Sequence, residues 1–270
     1  VLASASAALA AIAVASGGFQ AVRTLRRPLP YADSSRLVSC YQIHFASMSL
    51  GVQARYVRPW QQQCRTLEGL EAYSPRRMNV SAEGAGGAAE PVEALRVTPG
   101  FFRLLGTEAR LGRLFRPEDA AGESVAVLAW SYWQRRFGGN PGAVGRTVWI
   151  DGQPARVVGV LPESFWFRSP GIRVWTLLPN LDSADPSLRL VSTVGRLKGA
   201  YTPEEARHEL QRVAFSSSRF RGGAFRVVTL EQSLRPNLQV AALVFVASGV
   251  LAAAIALVQL LRSMGKAGDT

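Results

Sequence analysis

The sequence predicts an α+β domain placed between two transmembrane helices. Two observations locate the helices: residues 1–22 and 238–261 of the 270-residue chain carry no charged side chain. Each segment is long enough to cross a bilayer core of about 30 Å, which takes about 20 helical residues. The third observation is that residues 23–235 switch repeatedly between helical and strand periodicity, a pattern typical of α+β folds.

The first apolar segment, residues 1–22, is rich in alanine, so a cleavable signal peptide is an alternative to a membrane helix. Ala13 and Ala15 precede Ser16 with the small-x-small spacing of a cleavage site. Arg262 and Lys266 follow the second helix, and basic residues favour the cytoplasmic side. We therefore expect a cytoplasmic tail at residues 262–270 and a domain outside the cytoplasm.

Both predicted membrane helices carry a stripe of small residues. Such stripes let helix backbones approach closely, so the two helices either pair with each other or contact another membrane protein. The candidate packing residues are Ala3, Ala7, Ala11, Ala15, Ser248, Ala252 and Ala256.

In the first half of the domain, apolar spacing predicts an amphipathic helix over residues 59–73. The Gly/Ala-rich residues 81–89 predict a turn. Pro99 and Gly106 bracket a short helix, since proline favours the first helical position and glycine the end.

A Val-rich run at residues 124–129 predicts a buried strand. Ser131 is the predicted N-cap of the next helix, residues 132–137, which the glycines at 138 and 139 end.

The second half begins with the clearest local signal, Asp151-Gly152 between two β-rich runs. An Asp-Gly pair favours the positive φ angles of a tight hairpin turn, so residues 147–161 are a predicted β-hairpin. A strand follows over residues 191–197. Thr202 and Pro203 start a helix as N-cap and first residue, and a last strand covers residues 225–230.

The composition argues against an enzyme and against bound cofactors or metals. The chain holds two cysteines and two histidines, which leaves little material for zinc, haem or iron–sulfur ligation. His44 and His208 are far apart in sequence, and nucleophile, zincin and dinucleotide-binding motifs do not occur. We predict neither catalytic residues nor a cofactor.

The chain carries a formal charge of +12, and all but Lys198 and Lys266 of its 31 basic residues are arginine. Such a surface can bind anionic lipid headgroups or an acidic protein; alternatively, arginine replaces lysine through genomic base composition and is spread over all faces. A nucleic-acid partner is not expected, because no recognition motif occurs. The candidate contacts to partners or lipids are Arg76, Arg77, Arg135, Arg136, Arg219 and Arg221.

Cys40 and Cys64 are the candidate disulfide. In an oxidising compartment they could close a short loop. The alternative is a pair of free thiols buried as small apolar side chains.

Several segments resemble, in order, the MacB-like periplasmic core domain of bacterial ABC-type permeases. The resemblance begins with Leu25-Arg26-Arg27-Pro28-Leu29-Pro30-Tyr31 after the first helix. It continues through residues 97–106, 111–119, 133–141, 144–147, 157–162 and 195–198, and spans about residues 20–232.

The resemblance implies a two-subdomain periplasmic domain over residues 23–235, with an inserted subdomain at about 100–180, in the bacterial inner membrane. Complete family members are permease subunits that work mechanically, without an active site in this domain. They continue after the second helix, whereas this chain stops shortly after it.

We therefore expect a non-enzymatic accessory or scaffolding subunit that binds other membrane protein subunits and membrane lipids, with no ATPase bound directly. A narrower expectation is an extra subunit of a photosynthetic reaction-centre and light-harvesting complex. The alternative is a shortened ABC-transporter permease component that needs a separate ATPase and further helices.

Overall fold

The computed structural model describes residues 29–43, 51–82, 87–181, 190–216 and 223–234. Residues 30–234 form one compact unit. The two predicted membrane helices with their small-residue stripes, the tail, His44, Arg219 and Arg221 lie outside the described residues. Among the helices that are described, none is long and apolar enough to cross a membrane.

The strands of the described residues form one mixed sheet. In chain order they are β1 (Leu37–Ile43), β2 (Val52–Gln53), β3 (Leu67–Ser81), β4 (Glu90–Val97), β5 (Leu111–Gly112), β6 (Val125–Leu128), β7 (Thr147–Ile150), β8 (Gln153–Val160), β9 (Ile172–Leu177), β10 (Leu190–Leu197) and β11 (Ala224–Thr229). Their order across the sheet is β11-β1-β10-β3-β4-β9-β6-β8-β5, with β2 beside β10 and β7 beside β3 and β8. The β4–β9 and β6–β8 pairs are parallel.

Four of the described α-helices lie between strands in the chain, and the fifth follows β11. They are α1 (Val57–Gln63), α2 (Phe101–Leu105), α3 (Trp130–Phe137), α4 (Pro203–Ser216) and α5 (Leu230–Leu234). The mixed sheet and these helices confirm the predicted α+β class.

The predicted hairpin is confirmed, and its turn has the expected backbone geometry. Asp151 has φ +49° and Gly152 has φ +80°, and β7 pairs with β8 on either side of them. The Asp151 Oδ1 atom also accepts the backbone N–H of Asn79 at 2.8 Å, which attaches the turn to β3.

The α4 start is also confirmed. Thr202 and Glu205 form a reciprocal cap, in which Glu205 Oε2 accepts the Thr202 N–H at 2.8 Å and Thr202 Oγ1 accepts the Glu205 N–H at 3.3 Å. This arrangement satisfies backbone donors that the first helical turn leaves open.

Two predictions of helix limits were wrong. The predicted helix over residues 59–73 ends at Gln63, and β3 begins at Leu67. This strand is hydrogen-bonded on both sides, by β10 and β4, and that pairing outweighs a local helical spacing. Ser131 is not an N-cap: it lies inside α3, where its Oγ receives a hydrogen bond from Arg173 at 2.6 Å.

One apolar core lies between the sheet and the pair α1 and α4. Trp60 of α1 is 1% exposed, and its Nε1–H donates to the carbonyl of Leu210 in α4 at 2.9 Å. Its ring packs edge-on against Phe225 of β11 at 5.1 Å between centroids. Burying a side chain of this kind stabilises the fold by about 2–3 kcal/mol.

A second core is aromatic and gathers around α2. Phe101 contacts Phe167 and Tyr73 with ring centroids 4.9 Å and 6.0 Å away. Phe102 contacts Phe115 and Trp175 with ring centroids 5.7 Å and 6.2 Å away. These contacts join α2 to β3, β9 and the segments between them.

The two ends of the compact unit lie side by side. The 3₁₀ turn Ser34–Arg36, near its start, contacts α5 at its end, and α5 also contacts β1. Arg36 stabilises this region. Its Nε–H donates to the carbonyl of Leu197 at 2.9 Å, and its guanidinium forms an ion pair with Glu68. The chain therefore enters and leaves the unit at one place.

Candidate functional site

A cleft of about 630 Å³ opens where α1, β3, α2 and the segments around residues 115–121 and 178–181 meet. Its size falls within the range of about 300–1,000 Å³ that ligand sites occupy. Its apolar walls are Pro99, Phe115, Pro117, Leu178, Pro179 and Leu181.

Glu71 of β3 is the acidic group of the cleft. Its carboxylate accepts hydrogen bonds from the Thr98 hydroxyl and the Gly100 backbone N–H. Burial raises the pKa of Glu71, against the opposing effects of Thr98, Arg103 and Gly100. Thr98 is itself positioned by the Ala72 N–H, which donates to its Oγ1 at 2.9 Å.

Glycine at position 100 lets α2 approach Glu71 closely without displacing its carboxylate. A Cβ atom at that position would lie 2.1 Å from Glu71 Oε1. The backbone of Gly100 is unstrained, with φ −80°, so the effect is purely steric.

Three exposed arginines surround the cleft, each from a different part of the chain. Arg58 comes from α1, Arg103 from α2 and Arg116 from the segment before the 3₁₀ turn Pro117–Ala120. Arg58 donates to Asn180 Oδ1 at 3.1 Å. Against these three positive charges the lining holds the single carboxylate of Glu71.

The wall of the cleft at residues 115–121 is held by an ion pair. Arg113 donates to both carboxylate oxygens of Asp119, at 2.6 and 2.7 Å, and the Arg116 N–H donates to Asp119 Oδ2 at 2.8 Å. Such bidentate pairs fix the relative orientation of the two side chains as well as the distance between them. The bond from Arg113 lowers the pKa of Asp119 below its usual range.

Four of the arginines proposed from sequence are described by the structure, and none of these four lines the cleft. Arg135 pairs with Glu90 at 3.1 Å and lies over the Tyr132 ring at 5.5 Å. Arg136 is half-buried on the same helix. Arg77 is exposed on β3 opposite Glu93 of β4, and its neighbour Arg76 is half-buried.

Sequence reasoning missed the residues that line the cleft. Glu71, Arg58, Arg103 and Arg116 are far apart in the sequence. They meet only because α1, β3, α2 and the wall converge in the fold. The nearest available signal was the segment of residues 97–106, which was used to place a helix and to recognise the family, and not to predict a site.

Cys40 and Cys64 lie at the same apolar core, between the sheet and α1, and both are free thiols in this structure. Burial raises the pKa of Cys40, and the nearby Cys64 adds to the effect. Burial and then the charge of Glu209 raise the pKa of Cys64 to about 12. The disulfide stays a prediction.

The remaining histidine of the described ranges is a surface residue. His208 is exposed on α4, with Nε2 at 3.2 Å from Glu204 Oε1. Within the part of the chain that the structure describes, no group of three or more His, Cys, Asp or Glu side chains could hold a metal ion.

Comparison with known proteins identifies the family. The family model of the MacB-like periplasmic core domain matches residues 2–213, so the chain belongs to that family. This match confirms the family assignment that was made from the sequence motifs. No curated protein sequence matches the chain significantly.

Solved structures share the fold at low sequence identity. The periplasmic region of MacB from Actinobacillus actinomycetemcomitans matches with a TM-score of 0.58 at 13% identity, over 76% of this chain and 94% of that one. The extracellular domain of the ABC-type transporter YknZ from Gram-positive bacteria matches with a TM-score of 0.55 at 14% identity, over 71% of this chain and 99% of that one. The chain thus contains the fold of a permease periplasmic domain nearly in full.

Proposed function

We propose that this protein is a non-enzymatic, membrane-anchored accessory subunit of a larger bacterial inner-membrane assembly, and that its periplasmic domain binds the other subunits. The observation that supports the membrane anchoring most directly is that the compact unit begins and ends at one place. A domain held by two membrane helices needs its ends together, because paired helices lie about 8–10 Å apart.

The rest of the structure agrees with a binding role. The cleft has rigid apolar walls and a charged rim, which are features of a recognition site. Its acidic group, Glu71, is already engaged by Thr98 and Gly100. We therefore assign the cleft to binding and not to proton transfer.

The family suggests a second candidate function. MacB-like periplasmic core domains belong to permeases, so the chain could be the periplasmic part of a permease component that works with a separate ATPase. Neither the family nor the matched structures point to a photosynthetic complex, and the proposal does not extend to one.

Affinity purification in mild detergent, followed by mass spectrometry, separates the two candidates. The full chain carries a tag at its C-terminus, and an untagged strain is the control. We expect a stable set of membrane proteins without an ATPase. Recovery of an ATPase with a helix-rich partner would establish the permease component instead, and recovery of no membrane protein above the control would refute both.

A further inference from the structure

A separate cavity of about 300 Å³ lies where α3 begins, beside β9 and the segment of residues 163–170 that precedes it. It shares no lining residue with the cleft. Three half-exposed aromatic side chains line it, Trp130, Phe165 and Trp166. Aromatic rings that are left partly open to water at a cavity offer flat apolar faces to a ligand.

Packing fixes these rings before any ligand binds. Phe165 contacts Phe102 and Trp175 with ring centroids 5.8 Å and 5.9 Å away. Trp130 contacts Trp133 with ring centroids 4.8 Å apart. A surface that is already in place loses little conformational entropy on binding.

One buried donor at the cavity has no partner. Trp175 of β9 lines the cavity and is 1% exposed, and its Nε1–H has no hydrogen-bond acceptor among the described residues. Buried tryptophan N–H groups usually have an acceptor, and leaving such a group unpaired costs free energy. A ligand in the cavity that carries an acceptor atom would remove this cost.

The charges of the lining balance. Among the described lining residues, Arg173 and Glu163 are the charged ones, and their charges are opposite. Arg173 donates to the Ser131 hydroxyl at 2.6 Å, and the Ser169 hydroxyl accepts the Gly171 N–H at 2.9 Å. The lining thus offers donors and acceptors without an excess charge, and it suits a neutral polar ligand.

Other ligand classes leave part of this cavity unmatched. An acyl chain or a quaternary ammonium group offers no acceptor to the Trp175 N–H. A phosphate ion has acceptors, but it has no apolar face for the rings and is repelled by Glu163. A sugar ring has both features. Its C–H groups match the electron-rich faces of aromatic rings, and its hydroxyl groups donate and accept hydrogen bonds.

We propose that this cavity binds one neutral pyranose ring, either of a soluble sugar or of a glycan chain end. The ring stacks on the half-exposed aromatic side chains, and one of its oxygens accepts the Trp175 Nε1–H. The volume, at the lower end of the range for ligand sites, suits a single ring. This inference goes beyond the proposed function and does not depend on it.

Saturation-transfer difference NMR on the full chain tests the inference. The detergent is lauryldimethylamine oxide, because maltoside and glucoside detergents carry sugar headgroups that would compete. The probes are methyl glucopyranoside, methyl galactopyranoside and N-acetylglucosamine, and the control is sorbitol, which has hydroxyl groups but no ring. We expect at least one pyranose to bind with a Kd below about 5 mM, and sorbitol to bind at least about tenfold more weakly.

Three outcomes on the unsubstituted chain would overturn the inference. They are a Kd above about 5 mM for every pyranose, equal binding of sorbitol, and tighter binding of choline than of every pyranose. The last outcome would show that the aromatic rings form a site for a cation.

A set of tryptophan variants locates the site. Trp130→Ala removes a half-exposed ring of the lining, and Trp149→Ala removes a half-exposed ring of β7 outside it. Trp175→Phe keeps a ring and removes the N–H. We expect Trp130→Ala to weaken binding of the best pyranose at least about tenfold and Trp175→Phe to weaken it about three- to tenfold. Trp149→Ala should stay within about twofold of the unsubstituted chain.

Urea denaturation shows which variants fold, and the probe series on the unsubstituted chain needs none of them. Equal losses in Trp130→Ala and Trp149→Ala, or unchanged binding in both cavity variants, would refute the site.

Cosedimentation with isolated peptidoglycan distinguishes the two sources of the ring. If the best pyranose competes with cosedimentation, the ring belongs to a glycan chain. If the pyranose binds and peptidoglycan does not, the ligand is a soluble sugar. Cosedimentation without binding of any pyranose would overturn the inference.

Discussion

Single buried polar groups connect distant parts of this chain. Arg196 of β10 is 9% exposed and donates through Nη2 to the carbonyls of Ala32 and Leu104, each at 2.8 Å. It thereby joins the first residues of the compact unit to the end of α2. Glu209 of α4 is 8% exposed and accepts the backbone N–H groups of Arg65 and Thr66 at 2.9 and 2.8 Å, ahead of β3.

Arg196→Lys should destabilise the protein although it keeps the charge. The lysine ammonium cannot reproduce the planar fork that reaches both carbonyls, and a buried acceptor without its donor costs about 1–3 kcal/mol. We expect the free energy of unfolding, measured by urea denaturation in detergent, to fall by about that amount. The exposed control Arg110→Lys should change it by less than about 0.5 kcal/mol, and equal effects would contradict the role of Arg196.

The Asp119 ion pair makes stability depend on pH in a defined direction. Because Arg113 lowers the pKa of Asp119 in the folded protein, the unfolded chain takes up a proton first as the pH falls below about 4. The contribution of the pair is present above that pH and is lost as the pH falls through the lower folded-state pKa. Asp119→Asn should therefore reduce the acid-side slope of unfolding free energy against pH.

The control for this experiment is Glu163→Gln, which alters an exposed carboxylate. It should retain the slope of the unsubstituted chain. If Asp119→Asn also retains it, the pair does not contribute to acid stability.

At the scale of elements, β3 is both a central strand of the sheet and a wall of the cleft. It pairs with β10 along its first half, with β4 along its second half and with β7 at its end. Glu71 lies on β3 in the β10-paired part, directly beneath the start of α2. The position of α2 against this strand therefore sets the shape of the cleft.

Gly100→Ala should disturb this contact. The added Cβ would displace the Glu71 carboxylate from Thr98 and the Gly100 N–H, with a loss of about 1–2 kcal/mol in unfolding free energy. Gly122→Ala is the control, since its nearest neighbour, the Glu118 carbonyl oxygen, would be 3.6 Å from the new Cβ. Comparable losses in both variants would show that the effect is not specific to Glu71.

The predicted disulfide would link two elements, β1 through Cys40 and the end of α1 through Cys64. In protein isolated from its native membrane without reductant, the bond should leave neither cysteine open to alkylation after unfolding, as measured by mass spectrometry. Two alkylated cysteines would instead agree with the free thiols of the structure and show that the disulfide prediction is wrong.

At the scale of the whole molecule, the two ends of the compact unit lie together, which agrees with a domain held by two membrane helices. We expect the domain to be periplasmic, so proteinase K added to spheroplasts should degrade it, and inverted membrane vesicles should protect it. The control is a cytoplasmic protein trapped in the spheroplasts, which must stay intact. Protection in spheroplasts with degradation in inverted vesicles would reverse the predicted orientation.

Local signals predicted those elements whose geometry is decided within a few residues. The hairpin at Asp151 and Gly152 depends on two φ angles, and the α4 start depends on side chains three residues apart. The apolar buried residues of α4, Ala206, Leu210, Val213 and Ala214, are spaced at three to four residues, as expected for one face of a helix. By contrast, β9, which lies between β4 and β6, was not predicted.

By itself, the sequence determined the α+β class, the Thr202 cap, the Asp151-Gly152 turn and the family, because the signals for each of these lie in short runs of neighbouring residues. Only the tertiary structure decided that residues 67–73 continue as a strand and that Glu71 meets Arg58, Arg103 and Arg116 in one cleft. The physical reason is that strand pairing depends on contacts between residues far apart in the chain. The approach of side chains from α1, α2 and β3 depends on such contacts as well, and local periodicity does not predict them.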